Sequence, residues 1–265
     1  MAIHQFDERE ALRLEKQYAI PVMVEQRRCT LDALNLQPGE RVLDVGSGPG
    51  YLTQQIAALT GPQGRVCAID TSESMLEAGK QRCASYANVE FQHADACKLP
   101  FPDASFDAAV AVQVYLFVPE LDLALPELLR VLRPGGRAVV VDTDWGSAVW
   151  NSHEPARMSR FLDIWKTRYH NAHIGRTLPG ALRRAGFAIT GAQSIGIVEL
   201  GTSADDYSGH QMNEVAKYVG TSASTEAAQA DAWKQEQREL EKSDQYFFSL
   251  NRYLITALRP AASPP

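Results

Sequence analysis

The chain has 265 residues, 45% hydrophobic and 22% charged, which supplies a globular core and excludes wholesale disorder. Its longest apolar runs, such as residues 108–112 and 138–141, are strand-sized, far below the ~20 residues of a membrane-spanning helix. A net charge of −6 disfavours nucleic acid and anionic membrane surfaces as partners.

Residues 7–35 read as two helices interrupted at Pro21, with Asp7 as N-cap and Ile20, Val24, Leu31 and Leu34 at helical spacing. Pro38-Gly39 then leads into a short β-rich run, residues 41–45, that enters a glycine-rich turn. Helix is expected over 51–59, 72–84 and 121–132, alternating with strand over 66–69, 89–92, 106–114 and 137–141. Such alternation implies βαβ crossovers and a doubly wound, mostly parallel sheet. The nearly continuous apolar strands fit burial on both faces.

Beyond Trp145 the pattern loosens. Met158, Phe161, Leu162, Trp165 and Tyr169 form one helical stripe, residues 177–185 a second helix ending at Gly186, and 187–198 a strand. Helices over 205–219 and 225–242 precede a last strand at 247–258, and residues 260–265 read as a disordered tail. The expectation is one domain over 1–265. Its core spans about 27–145 plus the strands 187–198 and 247–258, under a helical lid from 1–35, 146–186 and 201–245. Asp7, Glu8 and Glu10 do not fit the basic end of a secretory signal. Cys29, Cys67, Cys83 and Cys97 form no Cys-x-x-Cys pair, so a reduced, cytoplasmic protein is expected.

The segment Asp44-Val45-Gly46-Ser47-Gly48-Pro49-Gly50 carries the functional argument. A glycine turn directly after the first strand lets a ligand approach backbone at the carboxyl edge of the sheet. The dinucleotide fingerprint G-x-G-x-x-G would need glycine where Tyr51 stands. A carboxylate at Asp44 would also repel a pyrophosphate resting on the helix N-terminus. The same carboxylate suits an ammonium group, such as that of S-adenosylmethionine (SAM), directly or through water.

This D-x-G-x-G-x-G pattern resembles the class I SAM-dependent methyltransferases, and later segments keep step with it. Asp70 ends the second strand, and His93-Ala94-Asp95-Ala96 stands where the family has its Gly-Asp-Ala step, with Ala94 replacing the glycine. Leu99-Pro100-Phe101-Pro102-Asp103, Ser105-Phe106-Asp107 and Leu132-Arg133-Pro134-Gly135-Gly136-Arg137 are similar to the ubiquinone/menaquinone-biosynthesis branch. The resemblance covers residues 27–141 well and the rest loosely. It implies a Rossmann-like α/β fold, a seven-stranded sheet with an antiparallel last strand and helical lid insertions. It also implies a SAM site built from Asp44, Gly46, Ser47, Gly48, Gly50, Asp70, Thr71, Met75, Asp95, Ala96 and Gln113. Asp70 would take the ribose hydroxyls, Asp95 the adenine amino group and the Ala96 N–H a ring nitrogen.

Methyl transfer needs acceptor, methyl and sulfur held in line, and needs a base only where the acceptor loses a proton. Tyr115 after the fourth strand, Asp144 after the fifth and His153 beyond it are the candidate catalytic residues. Each has a plainer reading: packing for Tyr115, pairing with an arginine for Asp144, a solvent-facing ring for His153. Asp142, Asp144 and Trp145 together suit an amine, while Trp145, Trp150, Tyr207 and Tyr218 equally suit an aromatic acceptor. His170 and His173 have only Asp163 nearby, so no metal is expected. The overall expectation is transfer of a methyl group to nitrogen, oxygen or carbon of a small molecule by a monomer or homodimer, without nucleic acid or integral membrane association. The alternatives are an NAD(P)-dependent oxidoreductase and a SAM-binding protein without turnover.

Overall fold

The computed structural model describes residues 16, 18–203 and 206–261. Asp7 and residues 262–265 of the expected tail lie outside them. The elements in chain order are α1 (Pro21–Leu34), β1 (Arg41–Val45), α2 (Tyr51–Thr60), β2 (Arg65–Asp70), α3 (Glu73–Arg82), β3 (Val89–His93), β4 (Phe106–Val112) and α4 (Leu121–Val131). There follow β5 (Leu132–Trp150), α5 (Pro155–Lys166), α6 (Ile174–Arg184), β6 (Ala188–Glu199), α7 (Tyr207–Ser222), α8 (Ala227–Lys242) and β7 (Phe248–Leu258).

Local chemistry sets several of these boundaries. Pro21 opens α1, where its missing N–H costs nothing, and Asn35 closes it in the left-handed region (φ 45°), its N–H donating to the Leu31 carbonyl. Ser72 caps α3 through its hydroxyl, which accepts the Met75 N–H.

The seven strands form one sheet in the order β3-β2-β1-β4-β5-β7-β6. Neighbours from β3 to β5 run parallel, and β7 inserts antiparallel between β5 and β6. Alternate strand residues enter two different cores. Leu43, Ile69, Ala109 and Val140 pack on one face with Leu125 and Leu128 of α4 and Leu178 of α6. Val42, Val66, Val110 and Val139 pack on the other with Leu34 of α1 and Ile56 of α2. Burial on both faces accounts for the unbroken apolar runs in the sequence.

β5 differs most from expectation. Residues 133–136 bulge out between the Phe106–Leu132 and Ala108–Arg137 pairs, which accommodates the Pro-Gly-Gly turn. At its other end the strand runs on to Trp150, well past residue 141. The ladder with β4 stops at Val112–Val141, but β7 continues alongside and pairs as far as Trp150 with Phe248. β5 therefore projects beyond the parallel edge as a wall. Helices α5 and α8 pack on that wall through aromatic rings: Trp150 meets Trp233 of α8 edge-on at 5.5 Å, and Phe161 of α5 meets Trp233 at 5.7 Å. Buried Arg157 of α5 is paired with Glu236 of α8, which ties the two helices together.

Candidate active site

A cavity of about 680 Å³ opens at the carboxyl ends of β1, β2 and β4, a size suited to a small-molecule site. Its first wall is the glycine turn. Gly46, Gly48 and Gly50 all have left-handed backbone, at φ 65°, 53° and 79°. A Cβ on Gly46 would stand 2.4 Å from the Val114 side chain, and one on Gly48 3.2 Å from the Tyr18 hydroxyl. Asp70 braces this turn: Oδ2 accepts the Gly48 N–H at 2.9 Å and Oδ1 the Ser72 N–H at 2.9 Å. One carboxylate thus links the β1 turn to the start of α3.

Gly46, Gly48, Asp70, Thr71, Met75, Asp95, Ala96 and Gln113 all line this single cavity. Asp95 is exposed at the rim, and its Oδ1 accepts the Cys97 N–H at 2.8 Å. Gln113 holds a left-handed backbone (φ 58°), unusual for a side-chain-bearing residue and characteristic of functional turns. Its Oε1 accepts the Thr143 hydroxyl at 2.6 Å, while its Nε2 has no hydrogen-bond partner among the described residues.

Asp44, Ser47 and Gly50 lie behind the turn and do not line the cavity. Asp44 is 2% exposed, and its Oδ2 accepts the Thr53 hydroxyl at 2.6 Å. Burial pushes its carboxyl up to about 7, against the Thr53 hydrogen bond and with the Asp70 charge adding to the rise. Its hydrogen bond to Thr53 ties the end of β1 to α2. Gly50 packs against Gly79 and Phe91.

The three candidate catalytic residues also stand outside the cavity lining. Tyr115 is 1% exposed, and burial, then the nearby Asp142, raises its phenol well above the ordinary value. Asp144, also 1% exposed, is consumed by the Arg176 guanidinium, by His173 Nδ1 at 3.2 Å and by the Gly146 N–H at 2.9 Å. His153 sits on the exposed turn before α5. Alternation along β5 explains the loss of the acidic pair, because it turns Thr143 and Trp145 to one face and Asp142 and Asp144 to the other. The carboxylates that pointed to an amine acceptor therefore do not reach the cavity; Trp145 does.

The opposite half of the cavity brings Trp145 and Tyr207, expected for an aromatic acceptor, together with Trp165, Tyr169, His210, Gln211, Glu214 and Arg252, to which the sequence reading gave no site role. Trp145 stacks on Tyr169 at 5.6 Å and meets Trp165 edge-on at 5.4 Å. Tyr207, His210, Gln211 and Glu214 of α7 and Arg252 of β7 complete it, and Tyr18 stacks on Tyr51 above the glycine turn at 4.8 Å. Two signals were available for these. Tyr207, His210 or Gln211, and Glu214 recur at i, i+3/4 and i+7, and Arg252 is the one charged residue in the strand Phe248–Leu258. Among the described residues no three His, Cys, Asp or Glu side chains gather to hold a metal ion, and no helix is long and apolar enough to cross a membrane.

The sheet order, the inserted antiparallel strand and the glycine turn define a Rossmann-like methyltransferase fold. A family model described as "Methyltransferase domain" matches residues 42–136, and that stretch is similar to methyltransferase domains. The chain is 41% identical over 119 residues to the ubiquinone/menaquinone biosynthesis C-methyltransferase UbiE of Ectopseudomonas mendocina, covering 44% of this chain and 46% of that protein. In structure it is similar to phosphoethanolamine N-methyltransferase 2 of Haemonchus contortus, solved in complex with SAM. That TM-score is 0.61 at 19% identity, over 97% of this chain and 58% of that one. It is also similar to the [4+2]-cyclase SpnF, at TM-score 0.59 and 23% identity over 90% of this chain and 82% of that one. These two likenesses show the fold. The chain spans about half the length of the curated relatives it matches.

Proposed function

We propose that this protein transfers a methyl group from SAM to nitrogen, oxygen or carbon of a small-molecule acceptor. The observation that carries the reading is the joining, in one cavity, of a backbone cradle at Gly46 and Gly48, a carboxylate at Asp70 and an unsatisfied donor at Gln113. These groups fit a nucleoside with an amino-acid tail: Asp70 facing the ribose hydroxyls, Asp95 and Ala96 the adenine, Gly46 and Gly48 the tail. When bound, SAM supplies an electrophilic methyl group on a positively charged sulfur.

The chain's own residues then orient and shield. Trp145, Tyr169 and Tyr207 wall the acceptor half and exclude water, and positioning of this kind is worth about 7–11 kcal/mol of barrier. His210 and Glu214 are the titratable groups of α7 at that end, where an acceptor that must lose a proton would find its base. Tyr115, Asp144 and His153 have no part in this reading.

The reading also takes residues 1–265 as one domain, supported by β6 and β7 completing the sheet that β1 to β5 begin. It takes the protein to act in the cytoplasm as a monomer or homodimer. SpnF gives a second reading specific support, since a protein of this fold is named for a cyclisation; SAM binding without methyl transfer is that alternative. Calorimetric titration with SAM, S-adenosylhomocysteine and NADH tests the proposal. Micromolar binding of the first two and none of NADH is expected, and the absence of binding by either adenosyl compound refutes it.

A further inference from the structure

Arg252 is 3% exposed, yet it lines the acceptor half of the cavity. Across the β5–β7 ladder it stands opposite Thr143, which places it on the same face of the sheet as the hydroxyl that orients Gln113. Its Nη1 donates to Gln26 Oε1 at 2.5 Å and to Met23 Sδ at 3.1 Å, both on α1. Its Nε has no partner among the described residues. The Tyr207 ring lies 4.8 Å from its central carbon.

A guanidinium withdrawn from water is costly unless a negative charge meets it. Among the described residues no carboxylate forms an ion pair with Arg252. Asp142 interacts with it through charge, but its Oδ2 is engaged by the Tyr115 N–H, and burial pushes that carboxyl up to about 8, which leaves it protonated near neutrality. Arg168, stacked over Trp165 at 5.3 Å, adds a second positive group at the mouth of this half, and Glu214 is the acid opposing the two.

Building on the methyltransferase reading, we infer that the acceptor is an aromatic molecule carrying an oxyanion, which Arg252 receives while the ring packs against the aromatic wall of Trp145 and Tyr169. The planar fork of donors suits the two oxygens of a carboxylate or a phosphate. Arg252 is thus a specificity-determining residue of the acceptor site, and it replaces the acidic pair that had pointed to an amine.

Calorimetry on the full chain saturated with S-adenosylhomocysteine tests this, using 4-hydroxybenzoate, phenyl phosphate and uncharged 4-hydroxybenzamide as probes. At least one anion is expected to bind tenfold or more tightly than the amide, and the preferred anion tells carboxylate from phosphate. Arg252→Gln is expected to erase that preference while binding S-adenosylhomocysteine within twofold of wild type. Equal binding of amide and anions, no anion binding at millimolar concentration, or an anion preference that survives in Arg252→Gln would overturn the inference. The wild-type comparison decides the matter by itself if Arg252→Gln does not fold. Failure to bind S-adenosylhomocysteine at all would instead count against the cofactor reading.

Discussion

Asp142 accepts the backbone N–H of Tyr115 at 3.1 Å, from a position fully enclosed between the extended end of β5 and the loop that follows β4. The contact fixes the loop carrying Leu116 and Phe117 into the cavity wall. It also puts a carboxyl where water does not reach, and burial raises it from 3.8 to about 8; Asp44, beneath the glycine turn, is raised by the same cause to about 7.

Both acids keep a proton in the folded state that the unfolded chain releases near pH 4. Their contribution to stability is therefore full below that pH, declines as pH rises and is lost above about 7 for Asp44 and about 8 for Asp142. Asp142→Asn keeps an acceptor for the Tyr115 N–H without the charge. Thermal melts from pH 5 to 9 are expected to show a shallower alkaline decline in this variant, with Tm at pH 9 raised by ~2 °C or more. Identical slopes in variant and wild type would show that Asp142 does not hold its proton.

Gly46 is required by both conformation and space. Its φ of 65° strains any other residue, and a Cβ there would overlap Val114. Gly46→Ala is expected to lower stability by about 2 kcal/mol in urea titration, combining left-handed strain with the overlap. Adding Val114→Ala opens the space but not the backbone, so the double variant should regain only the overlap component. A double variant no better than the single would assign the whole cost to backbone strain.

Asp144 is a structural residue in this account. Asp144→Ala removes the acceptor of the Gly146 N–H and the partner of the half-exposed Arg176 and His173, at a cost of about 0.5–1.5 kcal/mol, chiefly from the lost hydrogen bond. Tm should fall while affinity for S-adenosylhomocysteine stays within twofold of wild type. Wild-type stability with lost affinity would return Asp144 to the site.

The glycine-turn side of the cavity was largely legible in the sequence, Asp44, Ser47 and Gly50 excepted, because glycines and strand-terminal acids announce themselves by type and position. β1 runs over residues 41–45 as expected, and Asp70, Asp95 and Gln113 fall at strand ends on the cavity. The aromatic half was legible only at Trp145 and Tyr207. There the informative quantity is the face a side chain occupies on a strand that overruns the sheet, and the length of β5 is set by pairing with β7, about a hundred residues away. That pairing sends Asp144 to Arg176 and brings Arg252 opposite Thr143.

Asp70 separates binding from folding. Asp70→Ala removes the braces on the Gly48 and Ser72 N–H groups. It is expected to weaken binding of S-adenosylhomocysteine at least tenfold and to lower Tm by only a few degrees. Proportional loss of both would reduce Asp70 to a cap on α3.

The most direct measurement is a crystal structure of the protein with S-adenosylhomocysteine. The account places the ribose hydroxyls on Asp70, the adenine beside Asp95 and Ala96, and the sulfur facing the aromatic wall of Trp145 and Tyr169. A nucleoside bound anywhere else, or phosphate groups lying in the Gly46–Gly50 turn, would contradict it.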